Sequence, residues 1–196
     1  MARGHAGYDR AVPASSSSFE ELLETLKQAA AALREADVRF VLGGGLAIWA
    51  RGGPETEHDV DFFVKREDAE RAAKALERAG FRTEEPPEDW LYKGWRGEVM
   101  VDLIYAPSGV TVDDEWLDRA EVLEVHAVRM PVMRAEDVLV AKLLAMREHH
   151  LDYDRVLEIA RTVREQIDWG DVRKRTDGSP FAKAFFTLVD ELGVSD

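Results

Sequence analysis

Apolar positions recur along this chain with two different spacings. Some segments carry apolar residues every three or four positions, the spacing of an amphipathic helix: 19–36, 68–79, 136–148, 153–166 and 181–192. Other short segments are apolar or alternate with a period of two, which is typical of strands: 39–42, 59–64, 90–95, 98–105 and a pair around 123–133. This order predicts an α/β (or α+β) protein, with a small mixed sheet flanked by helices and followed by a helical tail.

The same pattern predicts three parts. Residues 1–17 are polar and Ser-rich, and we expect a flexible leader in which Ser17 or the next residue, Ser18, caps the first helix. Mixed strands and helices occupy residues 18–133, and residues 134–196 form the helical region. The boundary between these two regions follows the last predicted strand.

Composition excludes several classes of protein. The 196 residues include 26 Lys and Arg, 39 Asp and Glu and no cysteine, which gives a formal net charge of −13. Without cysteine the chain has no disulfide framework, cysteine nucleophile or Cys-ligated metal. An acidic chain is poorly suited to broad, non-specific nucleic-acid binding. No apolar run approaches the roughly 20 residues that span a bilayer, and the N-terminal residues lack an apolar signal core, so we expect a cytoplasmic protein.

The negative charge is unevenly distributed. Residues 1–128 hold 15 basic and 26 acidic side chains, a net charge of −11, whereas residues 129–183 hold 11 basic and 10 acidic side chains. The helical tail is therefore close to neutral. If the substrate is anionic, we expect its phosphates to meet the Lys and Arg residues of this second segment.

Three aspartates lie in strand segments, where carboxylates are disfavoured. Asp59 and Asp61 are two positions apart and therefore share a strand face, and Asp102 has apolar neighbours on both sides. An exposed strand end with solvated acids is one interpretation of the first two. If the strands are adjacent, the three carboxylates favour a site for two Mg²⁺ ions, because hard cations prefer carboxylate oxygens and substrate phosphates.

The residues before this acidic strand are suited to phosphate binding. Glycines at 43–45 end the first short strand and lead into a short apolar helix at 46–50. Glycine lets a backbone approach a phosphate closely, and the start of a helix supplies free N–H groups. Thr56 and His58 lie in the following loop and are candidates to bind phosphate or to orient an aspartate. On its own a glycine triplet is typical of a turn.

Taken in order, these residues resemble the DNA polymerase β-like nucleotidyltransferase superfamily. The resemblance covers about residues 38–105 and rests on Leu42-Gly43-Gly44-Gly45, then Asp59-Val60-Asp61-Phe62 after thirteen intervening residues, then Asp102. It implies a catalytic domain at 18–133. It also implies a Mg²⁺-dependent enzyme, with two ions, that transfers a nucleoside monophosphate from an NTP, ATP for example, to an acceptor hydroxyl and releases pyrophosphate.

The resemblance also implies a role for each matching residue. Asp59 and Asp61 would be metal ligands. Asp102 would be the third metal-binding carboxylate, which positions or deprotonates the acceptor hydroxyl. Gly44 and Gly45 would line the triphosphate. The next residue is Leu46, where many members of the superfamily carry a polar residue, so one phosphate contact is expected to come from backbone alone.

The helical tail resembles that of small bacterial nucleotidyltransferase-like proteins, which include AbiEii- and MenT-type toxins and the antibiotic nucleotidyltransferases. The similar runs are residues 136–146 and 152–160. In the toxin group a Lys on one helix and an Asp at the start of the next belong to the active site. This pattern implies Lys142 and Asp154, with Asp152 as the alternative register. A solvent-facing Lys142 is the other interpretation.

The sequence leaves the acceptor open. A toxin-type enzyme would modify tRNA or a protein and would have an antitoxin partner. An antibiotic-type enzyme would modify a small molecule, and the acidic charge suits a cationic, aminoglycoside-like acceptor. A catalytically silent module that binds a nucleotide or a partner is the third hypothesis. The aromatic cluster Trp90, Tyr92 and Trp95 is interpreted as packing, with stacking on a base or sugar as the alternative.

Overall fold

The structure of this chain, a computed structural model, describes residues 19–56, 59–87 and 89–195. The predicted leader, its capping serines and His58 lie outside the described residues. The α-helices are α1 (Phe19–Glu35), α2 (Gly44–Trp49), α3 (Ala69–Arg78), α4 (Asp114–Asp118), α5 (Ala135–Ala145), α6 (Tyr153–Thr162), α7 (Trp169–Thr176) and α8 (Pro180–Glu191). The strands are β1 (Phe40–Leu42), β2 (Asp59–Val64), β3 (Arg82–Glu84), β4 (Leu91–Arg96), β5 (Val99–Ile104), β6 (Glu121–Val125) and β7 (Val128–Val132).

The strands form one mixed sheet in the order β3-β4-β5-β2-β1-β7-β6. Strand β2 runs parallel to β5, and β1 runs parallel to β7, while the other neighbouring pairs are antiparallel. Helices α1 and α3 pack against each other and against the central strands. This mixed sheet with flanking helices and a helical C-terminal region confirms the predicted fold class.

The central strand β2 has one apolar face and one acidic face. Val60 and Phe62 are fully buried, and Phe62 packs edge-on against Phe40 with ring centroids 4.9 Å apart. Asp59 and Asp61 lie on the opposite face and are partly exposed. Burial of each large apolar side chain stabilises the fold by about 1.5–3 kcal/mol. It also fixes the register, since a slip of one residue would bury the aspartates in the core.

Most of the predicted elements are confirmed, and three were missed. The acidic strand at 59–64 has the predicted bounds, and Gly97, with a φ of +60°, lies in the turn between the two strands that follow β3. Strand β3 has no apolar pattern because it is an exposed edge strand, held by its backbone pairing with β4. Helix α4 is short, and Asp113 caps it. Helix α7 buries few side chains, so its sequence lacks the apolar pattern that predicts a helix.

The helical tail shares the hydrophobic core of the sheet. Val138 of α5 and Phe185 of α8 belong to the same buried cluster as the strand residues. Helix α8 begins as its sequence indicates, with Ser179 accepting a hydrogen bond from the Ala182 amide at 3.2 Å and Pro180 in the first turn. The tail is therefore packed onto the sheet. Within the described part of the chain, none of the helices has the length and apolarity required to span a membrane.

A buried ion-pair network fixes helix α5. The Asp137 side chain is 4% exposed, and its carboxylate accepts hydrogen bonds from Arg119 Nη2 at 2.9 Å and Arg175 Nη1 at 2.6 Å. Arg119 ends α4 and Arg175 lies on α7. A buried carboxylate requires such partners. The network therefore sets the position of the helix that faces the acidic side of β2.

Candidate active site

Three carboxylates converge on one face of the two central parallel strands. Asp59 and Asp61 extend from β2, and Asp102 lies opposite Asp61 on β5. Each residue offers a carboxylate oxygen, and these oxygens all lie within 4.8 Å of one another. Asp102 is buried, with 7% of its surface exposed. The structure therefore brings together the three aspartates that the sequence analysis singled out.

The cluster is electrostatically unfavourable without a cation. Burial, followed by repulsion from Asp59 and Asp102, raises the pKa of Asp61 to about 8, although the positive charges of Lys142 and Lys93 act in the opposite direction. Burial also raises the pKa of Asp102, and Lys93 partly offsets this effect. Carboxylates held this close together favour either a shared proton or a bound cation.

Lys93 supports Asp102 from the neighbouring strand. The antiparallel register of β4 and β5 places the two residues opposite each other. Lys93 Nζ lies 3.5 Å from Asp102 Oδ1 and 3.3 Å from the sulfur of Met100. The sequence analysis did not identify Lys93. Its signal is a lysine at the position of β4 that faces the candidate carboxylate, which becomes visible only once the strand register is known.

The glycine segment passes directly over Asp61. The Gly43 amide donates a hydrogen bond to the Asp61 carbonyl oxygen at 2.8 Å. Gly44 has a φ of +56°, and a Cβ atom there would lie 1.7 Å from Asp61 Oδ2. A Cβ atom on Gly45 would lie 2.6 Å from Thr56 Oγ1. Both positions therefore exclude a side chain, because the carboxylate and the threonine occupy that space.

A cavity of about 980 Å³ opens in front of these groups. Its polar part is lined by Gly44, Gly45, Thr56, Asp59, Asp61, Lys142, His150, Asp152 and Arg155. Helix α5 forms one side of the cavity, with Val138, Ala141, Lys142 and Ala145 on a single helical face. Lys142 therefore faces the cavity, and its charge acts on Asp61 across it.

The start of helix α6 contributes Asp152 and Arg155 to the cavity. Asp154, the residue implied by the toxin-type pattern, is exposed and is not among the residues that line the cavity. The alternative register, with Asp152, is the one that reaches it. The sequence does not single out Arg155, because an arginine on an amphipathic helix has no distinguishing pattern.

The other end of the cavity is apolar. Phe63 and Ile104 lie opposite each other at the carboxyl ends of β2 and β5, and Ala106 and Pro107 follow in the next loop. Trp90 completes this wall, with 38% of its surface exposed and with its carbonyl accepting hydrogen bonds from the Tyr105 and Ala106 amides. Trp90 therefore lines the cavity and is not part of the core, in contrast to the packing role predicted for it.

A mixed sheet with three clustered carboxylates beside a glycine segment defines a candidate nucleotide-handling site, and comparison with known families agrees. Residues 14–189 match the family described as "Uncharacterised nucleotidyltransferase". The chain belongs to this family. A search of curated proteins finds no match.

Several solved structures share the fold. The antibiotic-resistance factor ANT(2'')-Ia, solved with adenylyl-2''-tobramycin, is 18% identical, with a TM-score of 0.62 over 83% of this chain and 98% of its own. Lincomycin-bound LnuA, a lincosamide antibiotic adenylyltransferase, is 13% identical, with a TM-score of 0.54 over 78% of this chain and 100% of its own. JHP933 from Helicobacter pylori is 18% identical, with a TM-score of 0.56 over 92% of this chain and 82% of its own. At these identities the likeness establishes the fold alone.

Proposed function

We propose that this protein transfers a nucleoside monophosphate from an NTP to an acceptor hydroxyl, with release of pyrophosphate, and that the reaction requires Mg²⁺. The observation that carries the proposal is the convergence of Asp59, Asp61 and Asp102 at the edge of a cavity that the glycine segment, Lys142 and Arg155 also line. Membership of a nucleotidyltransferase family supports it.

The three aspartates suit a divalent cation. Their oxygens lie within 4.8 Å of one another. Burial, together with the charges of Asp59 and Asp102, raises the pKa of Asp61, and a cation would neutralise the carboxylates. Carboxylate oxygens together with substrate phosphates are the ligands that Mg²⁺ prefers. Bound there, two ions would lower the pKa of the attacking hydroxyl and neutralise charge on the leaving pyrophosphate.

The protein side chains then have distinct tasks in the transfer. The acceptor oxygen forms a bond to the α-phosphorus of the NTP, and the bond between that phosphorus and the pyrophosphate oxygen breaks. Asp102, held by Lys93 and with a raised pKa, is placed to orient the acceptor hydroxyl and accept its proton. Gly44 and Gly45 leave room for the triphosphate beside Asp61.

The apolar wall favours a small hydroxylated acceptor. Strands β4 and β5 place Trp90, Ile104 and Pro107 on the same side of β2 as Asp102, so an acceptor approaching that carboxylate meets apolar surface. The structures of similar fold that hold adenylyl-2''-tobramycin and lincomycin support a small acceptor. A toxin-type enzyme that modifies tRNA or a protein, with an antitoxin partner, is the second candidate.

Replacing the two aspartates of β2 tests the reaction. We expect the double variant Asp59→Asn with Asp61→Asn to lose transfer of label from each α-labelled NTP into small-molecule, tRNA and protein pools. The double variant Glu98→Gln with Glu191→Gln removes the same charge at exposed positions and should retain transfer. Undiminished transfer by the aspartate variant would overturn the proposal. Mass spectrometry of the labelled pools identifies the acceptor.

A further inference from the structure

Arg155 of helix α6 lines the cavity beside the glycine segment. It lies in the first turn of α6, 99 residues from Thr56, and its Nη2 donates a hydrogen bond to Thr56 Oγ1 at 3.0 Å. Thr56 is 2% exposed and packs directly against Gly45. The guanidinium is thus held next to the backbone segment where phosphates would pass.

Across residues 19–56, 59–87 and 89–195, no carboxylate lies within ion-pair distance of Arg155. By contrast, the partly buried Arg119 and Arg175 each have two aspartate partners. An arginine that is partly buried in a cavity and lacks a carboxylate is expected to bind an anionic ligand, because its five donors suit phosphate oxygens.

The two cations of the tail occupy different ends of the polar surface. Lys142 and Lys93 are the cations that most affect the pKa of Asp61, so Lys142 lies at the metal-binding end. Arg155 instead reaches Thr56, which packs against Gly45, whereas Asp61 packs against Gly44. A triphosphate whose α-phosphate lies at the carboxylates and whose chain follows Gly44 and Gly45 extends toward this guanidinium.

We propose that Arg155 binds the β- and γ-phosphates of the nucleotide and holds the leaving pyrophosphate, while its hydrogen bond to Thr56 fixes the orientation of the guanidinium. This assignment rests on the proposed nucleotidyl transfer. It makes Arg155 a substrate-binding residue for the part of the nucleotide that is released, and it predicts that affinity for pyrophosphate alone depends on this side chain.

Binding measurements with three probes test the assignment. Calorimetric titration would compare Mg-ATP, Mg-pyrophosphate and AMP on the wild type, Arg155→Gln and Arg155→Lys. The matched control is Arg161→Gln, an exposed arginine on the same helix outside the cavity. We expect Arg155→Gln to weaken both Mg-ATP and Mg-pyrophosphate by roughly 10- to 100-fold, the range for a lost charge-assisted contact, and to leave AMP unaffected. Arg155→Lys should be intermediate, since it keeps the charge but not the fork.

Two results would overturn the assignment. If Arg155→Gln binds Mg-pyrophosphate as the wild type does, the guanidinium does not hold the leaving group. If the variant weakens AMP as much as Mg-pyrophosphate, or lowers the Tm well below that of Arg161→Gln, Arg155 is a brace between α6 and the glycine segment. A wild type that binds neither Mg-ATP nor Mg-pyrophosphate would instead refute the proposed nucleotidyl transfer itself.

Discussion

At the scale of single residues, Asp61 carries the largest electrostatic penalty of the site. It lies between Asp59 and Asp102 and beneath Gly44, so both charge and space are tightly constrained around one carboxylate. The glycine is required because its positive φ and its contact with the carboxylate leave no volume for a Cβ atom. The substitution Asp61→Asn tests the effect of the charge, and Gly44→Ala tests the effect of the limited space beside the carboxylate.

The charge of Asp61 should make the metal-free protein less stable as pH rises. Its pKa in the folded chain is about 8, whereas an unfolded aspartate ionises near 3.8, so between these values the unfolded state releases a proton that the folded state retains. Stability contributed by the protonated form is therefore lost as pH rises toward 8. In EDTA, we expect Asp61→Asn to be more stable than the wild type. Its advantage in free energy of unfolding should grow from pH 5 to 8 by at most about 1.4 kcal/mol per pH unit.

The check is a set of thermal melts of both proteins across this pH range. One kcal/mol corresponds to about 2–4 °C for a chain of this size. Above pH 8 the advantage should level off, because both states are then ionised. A Tm difference that stays constant from pH 5 to 8 would contradict the raised pKa.

The space beside Asp61 is tested at Gly44. An alanine there would be strained at a φ of +56° and would displace the carboxylate, from which its Cβ would lie 1.7 Å away. We expect Gly44→Ala to lower kcat for nucleotidyl transfer by about 100-fold, as is typical when a catalytic group is misplaced by 1 Å. Gly52→Ala is the control, since Gly52 also has a positive φ, of +90°, but has no atoms within 4 Å of a Cβ. Equal losses in both variants would mean that backbone strain alone is responsible.

At the scale of elements, helix α5 holds one side of the cavity, and Asp137 holds the helix. Removing this carboxylate would leave Arg119 and Arg175 without their buried partner. We expect Asp137→Ala to lower the free energy of unfolding, measured in urea, by about 3–5 kcal/mol. Asp118→Ala breaks an exposed pair with Arg39 and should lower it by less than about 1 kcal/mol. Comparable losses would show that the buried network does not stabilise α5.

The sequence predicts elements whose pattern is strong and local. The alternation in β2 fixes the strand and its acidic face, and the Ser179-Pro180 pair fixes the start of α8. It does not reveal β3, whose only support is backbone pairing, or α7, which buries little. The same limit applies to the site. Asp59, Asp61 and Asp102 are visible because acids are unusual in strands, whereas Lys93 and Arg155 depend on contacts that only the folded chain brings together.

At the scale of the whole molecule, the acidic first 128 residues and the near-neutral tail meet at the cavity. The carboxylates come from the sheet, whereas Lys142 and Arg155 come from the helices that close over it. Basic side chains of the second segment therefore line the cavity, and their role toward phosphate is a proposal. The net charge of −13 still argues against an extended RNA surface.

Metal binding should be visible in the stability of the whole chain. Mg²⁺ at about 100 times its Kd would stabilise the fold by about 2.7 kcal/mol, which corresponds to a Tm rise of about 5–10 °C. The rise should be absent in Asp59→Asn with Asp61→Asn and retained in the charge-matched Glu98→Gln with Glu191→Gln. A similar rise in all three proteins would point to non-specific binding of the cation to acidic surface.

The parallel pairing of β2 with β5 has an evolutionary consequence. It forces Asp61 against Asp102 in the middle of the sheet, so substitutions that abolish the reaction would at the same time relieve repulsion and make the unliganded chain more robust. Selection for folding alone would therefore favour loss of this carboxylate cluster, whereas selection for the proposed reaction would retain it. Descendants freed from the reaction should drift toward neutral residues here first, becoming stable, inactive binding modules.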